Sequence, residues 1–284
     1  MKHKIALLTD STCDIPQEFL DKYDIKVVPL TIIWGGEQFQ DGVNLTAKDF
    51  YKRLETDPSL PTTSQPTPLQ MLQAYETAKD NGAEEVLIIT ISSAMSGTYE
   101  SAKAAAEMAD FPVKVLDSKA NSMSLGWQVL AAARAREAGG DLQAMVNAAD
   151  EARGSMVYII TLDTLEYLHK GGRIGGASHF IGNLLNLKPQ ISVDHNSGEV
   201  AGGRRSRTRK KALNDLFVDF FDQVDREKPL RIAVLHNAAL EEAQTLVEKI
   251  KTEIDPEEII ISIVSPVLGV HTGPRALAIC GYTE

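Results

Sequence analysis

Short, continuously apolar runs alternate with longer stretches of helical spacing along most of this 284-residue chain. KIALLTD (4–10), VVPLTIIW (27–34), EEVLIITIS (84–92), VKVLDS (113–118), MVYIITL (156–162), RIAVLHN (231–237), EIIISIVS (258–265) and RALAICGY (275–282) predict strands. Several have no polar alternation, the pattern of strands buried on both faces of a parallel sheet. Between them, residues 68–82, 96–110, 124–140, 209–224 and 240–253 carry helical periodicity ended by Gly, Asp or Pro. The pattern predicts an α/β fold with parallel or mixed sheets flanked by helices.

The length exceeds that of a typical single layered core and suits two lobes. We place the boundary near residue 160, giving lobes 1–160 and 161–284. The glycine-rich segment 170–206 reads as loops and short elements joining them.

Composition narrows the function. Apolar residues make up 43% and charged residues 24%, an ordinary globular balance. No apolar stretch reaches the roughly 20 residues of a membrane span, and MKHKIALLTD turns polar too early for a secretory signal, so stable membrane insertion is not expected. Cys13 and Cys280 stand far apart without metal-ligand spacing, which fits a reducing cytoplasm and no zinc site. A net charge of -10 argues against extended nucleic-acid binding.

The candidate chemistry is a set of donors. Asp10, Thr12 and Asp14 close the first strand, either at a ligand-bearing sheet edge or with Asp14 or Thr12 as the cap of the helix IPQEFLDKY. Near Ser96-Gly97-Thr98 a strand gives way to a helix start, where free backbone N–H groups suit a carboxylate or phosphate; a plain N-cap is the alternative. In TTSQPTP (62–68) two prolines stiffen a polar loop and hold Thr63 and Ser64 in place. His271 falls between a predicted strand and a Gly-Pro turn, and Arg173 lies among glycines that let a guanidinium reach an oxyanion. No nucleotide-binding, hydrolase-elbow or metalloprotease motif occurs. A Ser96–His271–Asp10 hydrolase or a small-molecule transferase is the enzyme these residue types permit.

Six of these segments, DSTCDIP, TTSQPTP, SSAMSGTYESA, LEYLHKGGRIG, LLNLKPQ and VHTGPRA, taken in this order, resemble the DegV family. Within that family they resemble the fatty-acid-binding subunits of bacterial fatty acid kinase. The resemblance implies two α/β lobes with a long-chain fatty acid between them and no other cofactor. It makes Thr63, Ser96, His271 and Arg173 the carboxylate donors, with Ser64, Gly97 and Thr98 as neighbours in the same motifs. It also implies a binding subunit rather than an enzyme, with phosphoryl transfer carried out by a partner kinase. The basic run 203–211 is either that partner's docking surface or a solvated helix start. Three positions depart from the family pattern: His169 where arginine is common, Gly175 where serine is common, and Arg275 where glycine is common.

Overall fold

The computed structural model describes residues 3–178 and 187–284. Its first strand, β1 (Ile5–Asp10), has parallel neighbours on both sides and is buried along nearly all its length. With β2 (Ile25–Val28), β6 (Glu85–Thr90) and β7 (Val113–Asp117) it forms a sheet of order β2-β1-β6-β7. Strand alternation separates the two faces. Ala6, Leu8, Val86 and Ile88 pack with α3 (Pro68–Asp80) and α4 (Thr98–Met108), while Leu7, Leu87 and Ile89 face the opposite way, in one core with α5 (Ser122–Glu137).

Every residue of α5 from Ser122 to Ala133 is buried. A helix apolar all round must be covered all round, and α5 touches β1 and β6 on one side and β13 (Leu277–Thr283) on the other, with α6 (Leu142–Gly154) along its flank. β13 is central in a second, mixed sheet, with β8 (Val157–Thr161), β9 (Lys188–Val193), β10 (Val200–Ser206), β11 (Leu230–His236) and β12 (Glu258–Ile263). The order is β10-β9-β8-β13-β11-β12, and only β11 and β12 run parallel. One face of this sheet, including Tyr158, Ile160, Ile191, Leu235 and Ala278, shares the α5 core. The other, including Ile159, Ile232, Val234 and Ile279, packs with residues of α8 (Arg209–Phe221) and α9 (Leu240–Glu253).

A small antiparallel sheet, β3 (Thr31–Trp34), β4 (Glu37–Gln40) and β5 (Thr62–Ser64), forms a third unit with β3 in the middle. Its Ile32 and Trp34 pack with Phe50 of α2 (Ala47–Leu54) and Val267 and Val270 of α10 (Pro266–Thr272). The short helices α1 (Gln17–Lys22) and α7 (Glu166–Lys170) complete the elements. No helix among the described residues is long and apolar enough to cross a membrane.

The structure corrects four sequence expectations. VVPLTIIW is two strands in different sheets, because Pro29 lacks the N–H that would continue a ladder and the chain changes sheet there. Much of the presumed linker 170–206 is the β9–β10 hairpin, whose glycines sit inside a bulged strand. His271 lies in the last turn of α10 rather than in a loop. Neither Thr12 nor Asp14 caps α1, which starts after Pro16 without a side-chain cap; Asp10 instead caps a 3-10 turn at Ser11–Cys13. Most of HFIGNLLNL (179–187) and the first half of LLNLKPQ fall outside the described residues.

Leu87 is fully buried in the layer between the first sheet and α5. Leu87→Ala should lower unfolding free energy by about 2–5 kcal/mol in urea titrations. A loss below about 1 kcal/mol would show that this layer is not tightly packed.

Candidate ligand-binding site

The first sheet, the second sheet and the small sheet meet around one cavity enclosing about 910 Å³ of non-atom space, its mouth included. Its apolar wall follows the strand period: Tyr158 and Ile160 of β8, Ile191 and Val193 of β9, with Leu235 and Ala278 registered on the same face. Leu30, Ile91, Val267 and Leu268 close the wall from the N-terminal half and from α10.

Polar groups converge at one end. Thr63 and Ser64 come from the edge strand β5, Ser96 from the turn after β6, Arg173 from the turn after α7 and His271 from α10. The Thr63 hydroxyl and His271 Nε2 lie 3.0 Å apart. Nδ1 of His271 is buried without a partner, packed where Gly171 offers no side chain; a Cβ there would stand 2.3 Å from that nitrogen. Burial, with a smaller contribution from the Arg173 charge, lowers the His271 pKa to about 4, so the ring is neutral at pH 7. With its one proton on Nε2 the ring donates to Thr63, whose own O–H is then free for a ligand.

Ser96 Oγ accepts the Thr98 backbone N–H and lies 2.9 Å from the Thr98 hydroxyl. When Thr98 is the donor, the Ser96 proton is free to point elsewhere. Arg173 is exposed, and its guanidinium donates to the main-chain carbonyls of Gly171 and Met95. Those bonds fix a cation at the cavity's rim without using a carboxylate. Ser64 lines the cavity, whereas Gly97 lies outside it, in a neighbouring depression shared with Ser96 and Arg173. A Cβ at Gly97 would fall 2.4 Å from the amide nitrogen of Gln65, an exposed side chain free to move aside. Thr98 is buried and supports Ser96 without lining the cavity.

Asp10 does not join His271. It is fully buried and accepts from the Ile91 N–H and from the N–H and hydroxyl of Thr12. With its acid elsewhere and Nε2 occupied by Thr63, the Ser96–His271–Asp10 relay is not assembled. Arg275 also points away from the head-group donors, toward Asp163 at 4.0 Å and Glu242 at 3.6 Å. Its φ of +61° is in the region where glycine is at ease, a physical reason for glycine at this position.

Among the polar residues that line the cavity, Gln65, Asn121, Asn237 and Thr272 were not singled out from sequence. The side-chain oxygens of Asn121 and Asn237 are buried without a partner. Asn237 directly follows β11, a position where α/β proteins place ligand groups, and that is the signal that could have found it.

Fold and cavity together define an α/β protein with an apolar-walled ligand chamber whose polar groups gather at one end. The chain belongs to the DegV family: the family model described as "Uncharacterised protein, DegV family" matches residues 4–284. A DegV domain-containing protein of Clostridium acetobutylicum is 35% identical over 99% of this chain and 98% of its own. A solved structure concerned with fatty acid binding by a DegV family protein of Thermus thermophilus shares 32% identity, with a TM-score of 0.92 over 99% of this chain and 100% of that one. DegV of Bacillus subtilis, described as a fatty acid binding protein, shares 31% identity with a TM-score of 0.90 over 100% of both chains.

A histidine whose folded pKa is depressed contributes stability in its neutral form, whole above the ordinary value near 6.5 and lost as pH falls toward about 4. The His271 imidazole signal in NMR should therefore titrate well below pH 6, and a midpoint at or above 6.5 would contradict the buried neutral ring.

Proposed function

We propose that the protein binds a long-chain fatty acid, with its carboxylate near Thr63, Ser96, His271 and Arg173 and its tail along the face of the second sheet. Ser64 is a further donor, and Gly97 and Thr98 act by shaping the turn at Ser96. In this reading the ligand lies between lobes 1–160 and 161–284. The observation that carries it is the single cavity with hydroxyls, an imidazole and a guanidinium at one end and aliphatic strand residues along the rest.

The energetics suit an amphipathic acid. Burying about a dozen methylenes gives on the order of 10 kcal/mol of gross transfer energy, before the cost of association. A carboxylate stripped of water without partners would cancel much of that, so convergent donors are needed. Neutral hydroxyls, that of Thr63 oriented by the neutral His271 imidazole, hold it without covering both oxygens. The solved relatives described as fatty acid binding proteins support the ligand class. The unassembled Ser96–His271–Asp10 relay weighs against a hydrolase.

In our reading the bound acyl group is presented to a separate kinase, which supplies ATP and magnesium. Much of the basic run is committed inside the chain: Arg204 pairs with Asp215 and Asp219, Arg209 with Asp163 and Glu242, and Lys211 with Asp215. Arg207 and Lys210 are exposed and outside those pairs, so any docking contribution from the run centres on them.

Denaturing the purified protein and weighing what is released by mass spectrometry should yield one fatty acid per chain. Thr63→Ala and Ser96→Ala should each weaken binding roughly 10-fold, the worth of a hydrogen bond to a charged group, and His271→Ala should weaken it by freeing the Thr63 hydroxyl that the ring orients. Repeatedly empty protein that turns over activated esters, with turnover lost in Ser96→Ala, would replace this reading with the hydrolase. Replacing Arg207 and Lys210 by Glu should leave lipid affinity unchanged and slow acyl-phosphate formation by the kinase; equal rates would remove the docking role.

A further inference from the structure

A second cleft opens at the start of α10, walled by α1 and the loop after β4, and both Asp14 and Asp41 line it. Asp14 is buried and held at φ +50°, a backbone conformation few non-glycine residues adopt. One carboxylate oxygen accepts the Ser265 N–H at 2.9 Å, the other accepts the Ser122 hydroxyl, and its carbonyl accepts the Ser262 hydroxyl at 2.6 Å. One residue thus ties the end of β1 to the starts of α5 and α10 and to β12. Asp41 is 3% exposed; its carboxylate faces the Ser11 hydroxyl and the Val267 N–H, yet neither oxygen makes a well-aligned hydrogen bond. Buried carboxylates left in that condition are expensive.

Ser265 and Val267 open the helix whose last turn carries His271 and whose side chains Val267 and Leu268 wall the cavity. We propose that Asp14 and Asp41 are positioning residues for the head-group helix: Asp14 holds the start of α10 from behind through the Ser265 N–H while Asp41 lies buried beside it, and their protonation sets how firmly His271, Val267 and Leu268 are kept against the ligand. The inference rests on the fatty-acid reading of the cavity.

The surroundings fix the sign. Asp10 on β1 faces both carboxyls, and Cys13, Tyr51 on α2 and Tyr158 on β8 are the other titratable neighbours. The Tyr51 hydroxyl donates to the Val264 carbonyl. Asp21 and Lys26 line the same cleft, where Lys26 pairs with Asp24. The Asp14 partners are neutral donors, so burial dominates and raises both carboxyls to about 7. A carboxyl raised in the packed state favours that state most when protonated, below its ordinary value, and the benefit is lost as pH rises through about 7. The same linkage applies to the local equilibrium between a held and a released α10 in so far as release opens the cleft that both carboxyls line and returns them to water. That gain outweighs the lost Ser265 and Val267 N–H contacts because burial is the larger effect on both. Acid tightens the helix and alkali loosens it, in a window above the His271 titration.

Release of a fluorescent fatty acid, followed by stopped flow at pH 6 and pH 8, tests this in the full chain. The unaltered protein should release it faster at pH 8, by roughly 10-fold for each carboxyl that ionises through about 7 across that interval. Asp14→Asn and Asp41→Asn mimic the protonated side chains, so each should release more slowly at pH 8 than the unaltered protein and reduce the pH dependence. A release rate independent of pH, or an unaltered pH step in both variants, overturns the proposal. Amide exchange over residues 266–272 at pH 8, with no lipid present, gives an independent readout: it should be slower in Asp41→Asn, and equal exchange also overturns the proposal. Should the protein bind no fatty acid at all, the functional reading fails, while the exchange comparison still decides whether the two carboxyls hold α10.

Discussion

The second sheet is wider than the helices laid against its inner face, and the site depends on that mismatch. Six strands at about 4.8 Å spacing span a width that two helices packed about 10 Å apart do not cover. α5 and α6 both contact β13, leaving Tyr158, Ile160, Ile191 and Val193 with cavity space in front of them. On the opposite face, α8 and α9 pack over the same strands and supply an ordinary core. A sheet face left partly bare is costly in water, and here the first sheet, the small sheet and α10 roof it over. The roof supplies Thr63, Ser64, Ser96 and His271, so these hydroxyls and the imidazole stand opposite the bare strands.

The layered α/β class was legible because continuous apolar strands and amphipathic helices follow from burial alone, as β1, β6 and β11 illustrate. The chamber wall was not, because the strands that build it are apolar on both faces. Ile159 enters one core while Ile160 lines the cavity, and periodicity cannot tell packing on helices from packing on empty space. The donors Thr63, Ser96 and His271 were visible as residue types beside Pro and Gly, yet their convergence from three elements was not a property of any local stretch. The helical setting of His271 was hidden for a related reason: α10 is two turns long and owes its place to Val267 and Val270 packing on Phe50 and Trp34. Tertiary contact, rather than propensity, makes such a short helix.

Backbone without side chains is what lets the polar end close. Gly171 leaves room for the His271 ring, and Gly97 leaves room for the Gln65 amide. Gly273, at φ +70°, faces Tyr167 so closely that a Cβ would stand 2.3 Å from its ring. A methyl group at Gly171 or Gly273 would push a donor or its support out of line, so these two glycines fix geometry by omission. Rigid placement matters because donors already aligned lose little entropy when a ligand arrives.

Electrostatics sets a harder condition. The chain carries a net charge of -10, and Asp10, Asp14 and Asp41 lie buried near the elements that form the chamber. If all three were ionised, their field would oppose any anion held by neutral hydroxyls. Burial raises the pKa of each, which reduces that opposing charge. Arg173 adds one cation at the rim, with two of its five N–H donors bonded to carbonyls, which fixes the guanidinium in place. An anion would therefore be held by weak, directional contacts in a site of low net charge, and its affinity would come mainly from the apolar wall. That division suits a binding protein that must release what it holds, since a tightly clamped carboxylate would resist both exchange and chemistry.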